Sequence, residues 1–192
     1  MPGQEAHKAM AAYAHGGKLF DAPETARKAG VFVLLFEKND GWHVLLTERT
    51  SSNPNDRHSG QISFPGGQFE ASDESLLQCA LRETHEEVGI SPDKIEVIGA
   101  LTTLYIPVSN FHVFPFLGWT ATPPQYFLQK NEVKTVIEAP ISLLQQPETV
   151  RITPIKVTNQ FVLKEVPCFD VFGKIVWGAT AMMLNEVLAL TR

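Results

Sequence analysis

The chain has 192 residues, of which 44% are hydrophobic and 19% charged, with a formal net charge of −5 at pH 7. That length suits one domain with a core of its own, the balance excludes a disordered chain, and the acidic total excludes the broad basic face that a long nucleic-acid partner requires. No stretch is apolar enough to span a bilayer, the opening MPGQEAHKAMAAYAHGGK lacks the apolar run of a signal peptide, and LALTR at the other end carries no peroxisomal or ER-retention address, so the cytoplasm is the expected compartment.

Residues 4 to 15 have the composition of a short helix that ends at Gly16-Gly17, and residues 1 to 28 are set apart as an N-terminal helical extension to a domain over 29 to 192. AGVFVLLFEK (29 to 38) is an apolar, partly β-branched run that predicts a buried strand, and WHVLLTER (42 to 49) predicts a second. Asn39-Asp40-Gly41 between them is turn chemistry, so the two form a hairpin. TSSNPNDRHSG (50 to 60) is a polar loop, and GQISF (60 to 64) is a short strand that runs into Pro65-Gly66-Gly67.

From Asp73 to Val88 the apolar residues recur at helical spacing, with Leu77, Leu81, Thr84 and Val88 in one stripe and Ala80 at its edge. Asp73 is the expected N-cap and Gly89 the expected C-terminal stop. Two strand-like stretches follow, IEVIGALTTLYIP (95 to 107) and NFHVFPFLGWTA (110 to 121), then a strand at VKTVIEAP (133 to 140), a short helix at ISLLQQ and mixed strand signals to about residue 176. TAMMLNEVLAL closes the chain as an amphipathic helix. Strands interleaved with a central and a terminal helix predict an α/β architecture with a mixed sheet between helical layers. Cys79 and Cys168 match no zinc spacing, and Cys79 falls in the helix as a small apolar residue.

The chemistry gathers in RETHEEVGI, residues 82 to 90. Glu83, Glu86 and Glu87 stand at i, i+3 and i+4, so their carboxylates share one helix face, away from the Leu77/Leu81/Val88 stripe. Each like-charged pair costs an isolated helix about 0.2–0.5 kcal/mol, and acids in the last turns oppose the helix dipole. A divalent cation turns that repulsion into attraction, and clustered carboxylates suit hard ions such as Mg²⁺ or Mn²⁺. The Gly66-Gly67 pair, between strand and helix, marks a place where backbone approaches something closely.

The stretch GGQFEASDESLLQCALRETHEEVGI resembles the Nudix box, G-x5-E-x7-R-E-U-x-E-E-x-G-U with U bulky and apolar. Glu74, Arg82, Glu83, Glu86, Glu87, Gly89 and Ile90 match, and Thr84 replaces the first apolar position. Six residues (68 to 73) separate Gly67 from Glu74 instead of five, and Gln68 stands at the nominal glycine position. A loop longer by one residue is also a mark of the coenzyme A pyrophosphatase branch of the Nudix hydrolases, whose upstream signature LLTER … HSGQISFPGG (45 to 67) resembles. Asp73, NEVKTVIEAPI (131 to 141) and IVWGATAMMLNEVLAL (175 to 190) extend the likeness over residues 29 to 190. In one place the chain departs from the branch: eleven residues (50 to 60) separate Arg49 from Gln61, two more than expected. Asp56 stands where the branch has an arginine two before His58, with Arg57 adjacent.

The resemblance implies a Nudix-like α/β/α sandwich that cleaves a diphosphate in a small nucleotide substrate, with Mg²⁺ or Mn²⁺ bound. It assigns Glu83, Glu86, Glu87 and a carbonyl of Gly66 or Gly67 as metal ligands, and Arg82 as the residue that orients Glu83. The general base is Glu83 or, from a later strand, Glu132. Arg49 is the expected phosphate contact, because a guanidinium fork matches phosphate oxygens, with Arg57, Gln61 and Gly66 on the same side. Coenzyme A, giving 3′,5′-ADP and 4′-phosphopantetheine, leads the substrates. ADP-ribose or another nucleoside diphosphate, and a non-catalytic nucleotide-binding domain, are the alternatives. Neither a nucleic acid nor a membrane is an expected partner; a homodimer is compatible with the chain.

Overall fold

The computed structural model describes residues 3–12, 19–50, 60–157 and 162–191. Strands β1 (Arg27–Lys38) and β2 (Gly41–Arg49) form the expected hairpin, with Lys38 opposite Gly41 and Gly41 at φ +111°, a conformation that glycine adopts without strain. The two strands stay paired only from Leu35/Val44 to the turn and then splay. Two short strands fill the fork. β3 (Ile62–Ser63) pairs with Thr47 and Glu48 of β2, and β4 (Gly66–Gln68) pairs with Ala29, Gly30 and Val31 of β1. GQISF is therefore a strand over two residues only, and β4 is a strand that composition did not announce, held because its backbone groups pair with β1 and because the Phe32 amide donates to the Pro65 carbonyl at 2.9 Å.

On the other edge of β1, strand β7 (Phe111–Thr120) runs parallel to it from Arg27/Phe111 to Phe36/Thr120. The stretch expected as one strand over 95 to 107 splits into β5 (Glu96–Ala100) and β6 (Leu104–Ile106). Both are antiparallel to β7, with Ala100 opposite Phe116 and Leu104 opposite Val113. β8 (Val133–Pro140) pairs with the outer edge of β2. One parallel pair among antiparallel ones makes the sheet mixed, as expected.

Helix α2 (Leu76–Val88) covers one face of this sheet, packing Ala80 and Val88 against Phe32, Leu34, Phe36 and Leu45. The alternate residues Val33, Leu35, Val44 and Leu46 face the opposite layer, formed by α1 (Gly3–Met10) and α4 (Gly178–Leu190), with Met183, Leu184, Val187 and Leu188 fully or almost fully buried there. Period-two alternation thus feeds two cores from one strand, which is the α/β/α sandwich. After the one-turn helix α3 (Ile141–Leu144), strands β9 (Val150–Lys156), β10 (Val162–Val171) and β11 (Lys174–Trp177) form a separate antiparallel sheet, which resolves the mixed strand signals of that region.

Two expectations change. α4 is not amphipathic: Thr180 to Leu184 and Glu186 to Leu188 are all buried, because α1 covers the side that would have met solvent. α1 ends at Met10 rather than 15, with residues 13–18 outside the described set. It docks on α4, where His7 Nε2 lies 3.0 Å from Glu186 Oε2 and Asn185 Nδ2 donates to the Ala6 carbonyl at 2.8 Å. Met10 of α1 joins the core on this face of the sheet. Cys79 and Cys168 are buried free thiols, Cys79 as expected of a small apolar residue, and burial pushes the Cys79 thiol up to about 11.

Candidate metal and diphosphate site

Helix α2 starts two residues later than its sequence suggests. Ser75 caps it, accepting from the Gln78 amide at 3.1 Å, and Gly89 closes it at φ +78° with its amide on the His85 carbonyl. Asp73, the expected N-cap, is released for another task. Leu77 and Leu81 are only half-buried, while Cys79, Ala80, Thr84, Glu87 and Val88 face the sheet. The helix is thus rolled toward its acidic side. Gly30 permits this: a Cβ there would stand 2.5 Å from the Leu76 carbonyl and 2.8 Å from the Ala80 amide, so the glycine lets α2 settle directly on β1. Thr84 suits its buried place by returning its hydroxyl to the Ala80 carbonyl at 2.7 Å.

The three box glutamates consequently live in three environments. The side chain of Glu86 is 55% exposed, that of Glu83 13% and that of Glu87 2%. Burial pushes the Glu87 carboxyl up to about 8; Arg49 opposes the shift, Glu83 and Glu132 add to it, and the Gly66 amide opposes it. Glu83 is raised too, by burial first, against the pull of Arg82 and with the repulsion of Glu86 and Glu132. These acids were expected on one helix face away from the apolar stripe; within that face the helix buries Glu87 and leaves Glu86 exposed.

Arg82 is the hub. Its Nε and Nη2 donate to the two oxygens of Asp73 at 2.8 and 3.1 Å, and its Nη1 donates to Glu83 Oε1 at 2.8 Å and Glu86 Oε2 at 3.0 Å. The pairing pulls Asp73 down to about 2 and raises Arg82 further above its ordinary value. Sequence reasoning missed this use of Asp73, although a signal was present. Five residues (68 to 72) separate Gly67 from Asp73, the gap that the box gives its acid, whereas Glu74 is exposed. The extra residue of this loop lies after the acid, between Asp73 and Arg82.

Glu132 reaches the site from the far end of α2. The helix leaves carbonyls unpaired at its C-terminus, and two of them, Glu87 and Val88, accept from the amides of Gln129 and Phe127 at 3.0 and 2.9 Å. The turn that follows bonds the Glu132 amide to the Gln129 carbonyl at 2.9 Å, and the Glu132 carbonyl accepts from Thr50 at 2.8 Å. Arg49 ends β2 on the same side, its Nη1 3.6 Å from Glu87 Oε1, and its backbone pairs with Gln61 and Gly60 at 2.9 Å. The structure therefore brings together Arg49, Gln61, Gly66, Gly67, Arg82, Glu83, Glu86, Glu87 and Glu132. Arg57 and His58 lie outside the described residues.

The donor set suits a hard divalent ion. Glu87 Oε2 is buried without a hydrogen-bond partner, and a Cβ on Gly67 would land on the Glu83 carboxylate, so glycine is what lets β4 and α2 meet at this point. The Gly67 carbonyl accepts a weak bond from the Cys79 thiol at 3.6 Å, and the Gly66 amide faces Glu87 rather than open solvent. Among the described residues no three His, Cys, Asp or Glu side chains stand in closed metal-binding geometry, and Arg82 bonds both Glu83 and Glu86.

The family model described as NUDIX domain matches residues 26–159. A protein of Enterobacter sp. (strain 638) called uncharacterized Nudix hydrolase NudL is 34% identical over 164 residues, covering 84% of this chain and 81% of that one. Among solved structures, a MutT/nudix family protein from Enterococcus faecalis covers 95% of this chain and 70% of its own at a TM-score of 0.52 and 16% identity. A C. elegans Ap4A hydrolase binary complex covers 60% and 81% at 0.51 and 21%. At those identities the two structures support the fold alone, the same sandwich described above. The domain match and the bacterial relative go further: this chain belongs to the Nudix hydrolase family.

Proposed function

We propose that the protein hydrolyses the diphosphate of coenzyme A or a derivative, releasing 3′,5′-ADP and 4′-phosphopantetheine, with Mg²⁺ or Mn²⁺ held by Glu83, Glu86, Glu87 and the Gly67 carbonyl. One observation carries the substrate choice. The described residues of the stretch that resembles the coenzyme A branch, 45 to 50 and 60 to 67, form strand and fork beside the acids, with Arg49 3.6 Å from Glu87 and backbone-paired with Gln61.

Bound metal would neutralise phosphate oxygens and lower the pKa of an attacking water. The chain's own residues prepare for this. Glu83 and Glu132 are the acids placed to accept the proton of that water, Arg82 orients Glu83, and Arg49 offers a fork for the phosphate oxygens. Gln61 also borders a cleft of about 260 Å³ lined by Ile62, Lys156, Lys174 and Trp177, a cationic and aromatic wall for the part of the substrate beyond the diphosphate. Arg57, four residues before Gln61 in the sequence, belongs to the same recognition.

The test is kcat/KM for coenzyme A, ADP-ribose and a dinucleoside polyphosphate under one metal condition, with products read by mass spectrometry. Coenzyme A is expected to lead. Its 3′-dephospho form is expected to fall behind by on the order of tenfold to a hundredfold, the loss of one charge-assisted contact. Arg57→Ala shrinks that gap if Arg57 makes the contact. ADP-ribose leading by tenfold overturns the substrate and leaves the reaction class standing. No turnover of any of them with either metal overturns catalysis.

A further inference from the structure

We propose that the cleft beside Gln61 is a phosphomonoester subsite: Lys174 and Lys156 receive the 3′-phosphate of the substrate, and the buried Glu48 is the residue that positions Lys174. The inference rests on the coenzyme A reading above and deepens it, by naming the group that enters this cleft and the side chains that hold it.

The end of β2 serves both sides of the sheet. Arg49 turns toward Glu87, with Nη1 at 3.6 Å, while its neighbour Glu48 stands opposite Ile62 of β3 and turns toward the three-stranded sheet. There Glu48 Oε2 lies 2.8 Å from Lys174 Nζ, and Oε1 accepts from Lys134 Nζ at 2.7 Å. The Glu48 side chain is 6% exposed, and a charge so deeply buried persists only when it is paired. Lys174 is fixed from its own strand as well. It follows the turn between β10 and β11, where Phe172 and Gly173 take φ +54° and +80° and the Asp170 carboxylate accepts the Gly173 amide at 2.8 Å. An ammonium carries three donors, so Glu48 anchors Lys174 without exhausting it.

The walls of the cleft decide the ligand. They include Gln61, Ile62, Lys156, Lys174 and Trp177, and among the described residues no Asp or Glu lines the cleft, in a chain whose net charge is −5. Lys156 ends β9, is exposed and forms no ion pair among the described residues. Glu48 divides its one charge between Lys134 and Lys174, which leaves the cleft with an excess of positive charge. The volume of about 260 Å³ falls short of the roughly 300–1,000 Å³ that a whole ligand of drug size occupies, so the space suits one end of a nucleotide. Lysines meet phosphate as point charges, and the half-buried Trp177 offers an aromatic surface to the ring next to it. The Gln61 carbonyl accepts the Arg49 amide at 2.9 Å, which puts this cleft beside the proposed diphosphate contact.

The experiment uses the full chain in chelator, with 3′,5′-ADP and 5′-AMP as probes that differ in the 3′-phosphate alone, and reads affinity by isothermal titration calorimetry. The unaltered protein is expected to prefer 3′,5′-ADP by about tenfold to a hundredfold, the effect of one charge-assisted contact. Lys174→Ala and Lys156→Ala are each expected to cut that ratio by about fivefold or more. Lys134→Ala removes the same charge from the other oxygen of Glu48 and is expected to leave the ratio within about twofold. Glu48→Gln separates position from charge, because the two act in opposite directions. Loss of a negative charge alone would tighten 3′,5′-ADP; loss of the anchor is expected to weaken it to the level of Lys174→Ala, with no further loss when the two changes are combined. Should Glu48→Gln not fold, Glu48→Asp keeps the charge, draws it back by one methylene, and is expected to lower the ratio. A ratio that ignores both Lys174→Ala and Lys156→Ala, or that falls equally in Lys134→Ala, overturns the subsite. Tighter 3′,5′-ADP binding by Glu48→Gln, or an unchanged ratio in Glu48→Asp, overturns the role of Glu48. An unaltered protein that binds both probes equally and turns over 3′-dephospho-coenzyme A as fast as coenzyme A overturns the substrate reading and this inference together, a result distinct from a 3′-phosphate preference that the lysines do not carry.

Discussion

The Glu83 carboxylate fills the space in which a side chain on Gly67 would begin. A Cβ on Gly30, which pairs with Gly67 across the β1–β4 ladder, would instead stand 2.5 Å from the Leu76 carbonyl and 2.8 Å from the Ala80 amide, both of them helix backbone. The two glycines therefore separate chemistry from folding. Gly67→Ala displaces the mobile end of a side chain, so kcat is expected to fall by about tenfold or more with the melting temperature nearly unchanged. Gly30→Ala must lift α2 off the sheet, at a cost of about 1–3 kcal/mol in urea unfolding. A Gly67→Ala protein with full turnover, or a low melting point for that variant alone, would remove Glu83 from the proposed machinery.

Glu87 makes a prediction about pH. Its carboxyl is pushed up to about 8 by burial, so the metal-free folded protein holds a proton there that the unfolded chain gives up near the ordinary carboxylate value. The folded state binds more protons across that window, and stability accordingly falls as pH rises from about 4.5 to about 8. Glu87→Gln carries no such proton. In chelator its melting temperature is expected to exceed that of the unaltered protein, by a margin that widens between pH 6 and pH 9, while kcat drops by orders of magnitude. A margin that stays flat would mean that the buried carboxylate is already ionised at pH 6.

Much of this was legible because it is local. The β1–β2 hairpin follows from two apolar runs around Asn39-Asp40-Gly41, the helix end from Gly89, and the span of β8 from VKTVIEAP alone. The residues of the site follow from spacing within one helix. What sequence could not supply is long-range. The roll of α2 depends on Gly30, some 46 residues before the helix starts, and it buries Glu87 more deeply than Leu81, which packs at the edge of the same core. The N-cap moved from Asp73 to Ser75 because Arg82 competes for Asp73, a choice that the order of residues in the loop does not decide. α4 reads as amphipathic only until α1 covers it.

Arg49 tests substrate contact apart from metal. Its guanidinium is about one-third exposed and opposes the upward shift of Glu87 without a short bond to it. Arg49→Lys keeps the charge and loses the planar fork, so kcat/KM is expected to fall by about 1.5–3 kcal/mol in transition-state binding, on the order of tenfold to a hundredfold. Mn²⁺ affinity is expected to be unchanged. Equal activity for the lysine variant would mean that Arg49 acts through its charge alone.

His7 and Glu186 carry the attachment of α1. Glu186 is fully buried and accepts from His7 Nε2 at 3.0 Å, the Thr102 hydroxyl at 2.7 Å and the Thr102 amide at 3.1 and 3.2 Å, so one carboxylate ties α4 to α1 and to the β5–β6 connection. Burial lowers the His7 pKa more than Glu186 raises it, which leaves a neutral imidazole donating from Nε2. The folded state then binds fewer protons at this histidine than the unfolded chain. Its contribution to stability is present above the ordinary histidine value of 6.5 and is lost as pH falls below it. Glu186→Ala strands the Thr102 amide and the imidazole together and is expected to cost about 3–5 kcal/mol, the penalty of breaking a buried network at its acceptor. His7→Ala leaves the Thr102 bonds intact and is expected to cost less. It should also flatten the loss of stability between pH 7 and pH 5 in urea titrations. If Glu186→Ala and His7→Ala cost the same and the acid slope survives in both, α1 is held by Met10 and Ala6 packing and the Asn185 bond to the Ala6 carbonyl, and the carboxylate serves only Thr102.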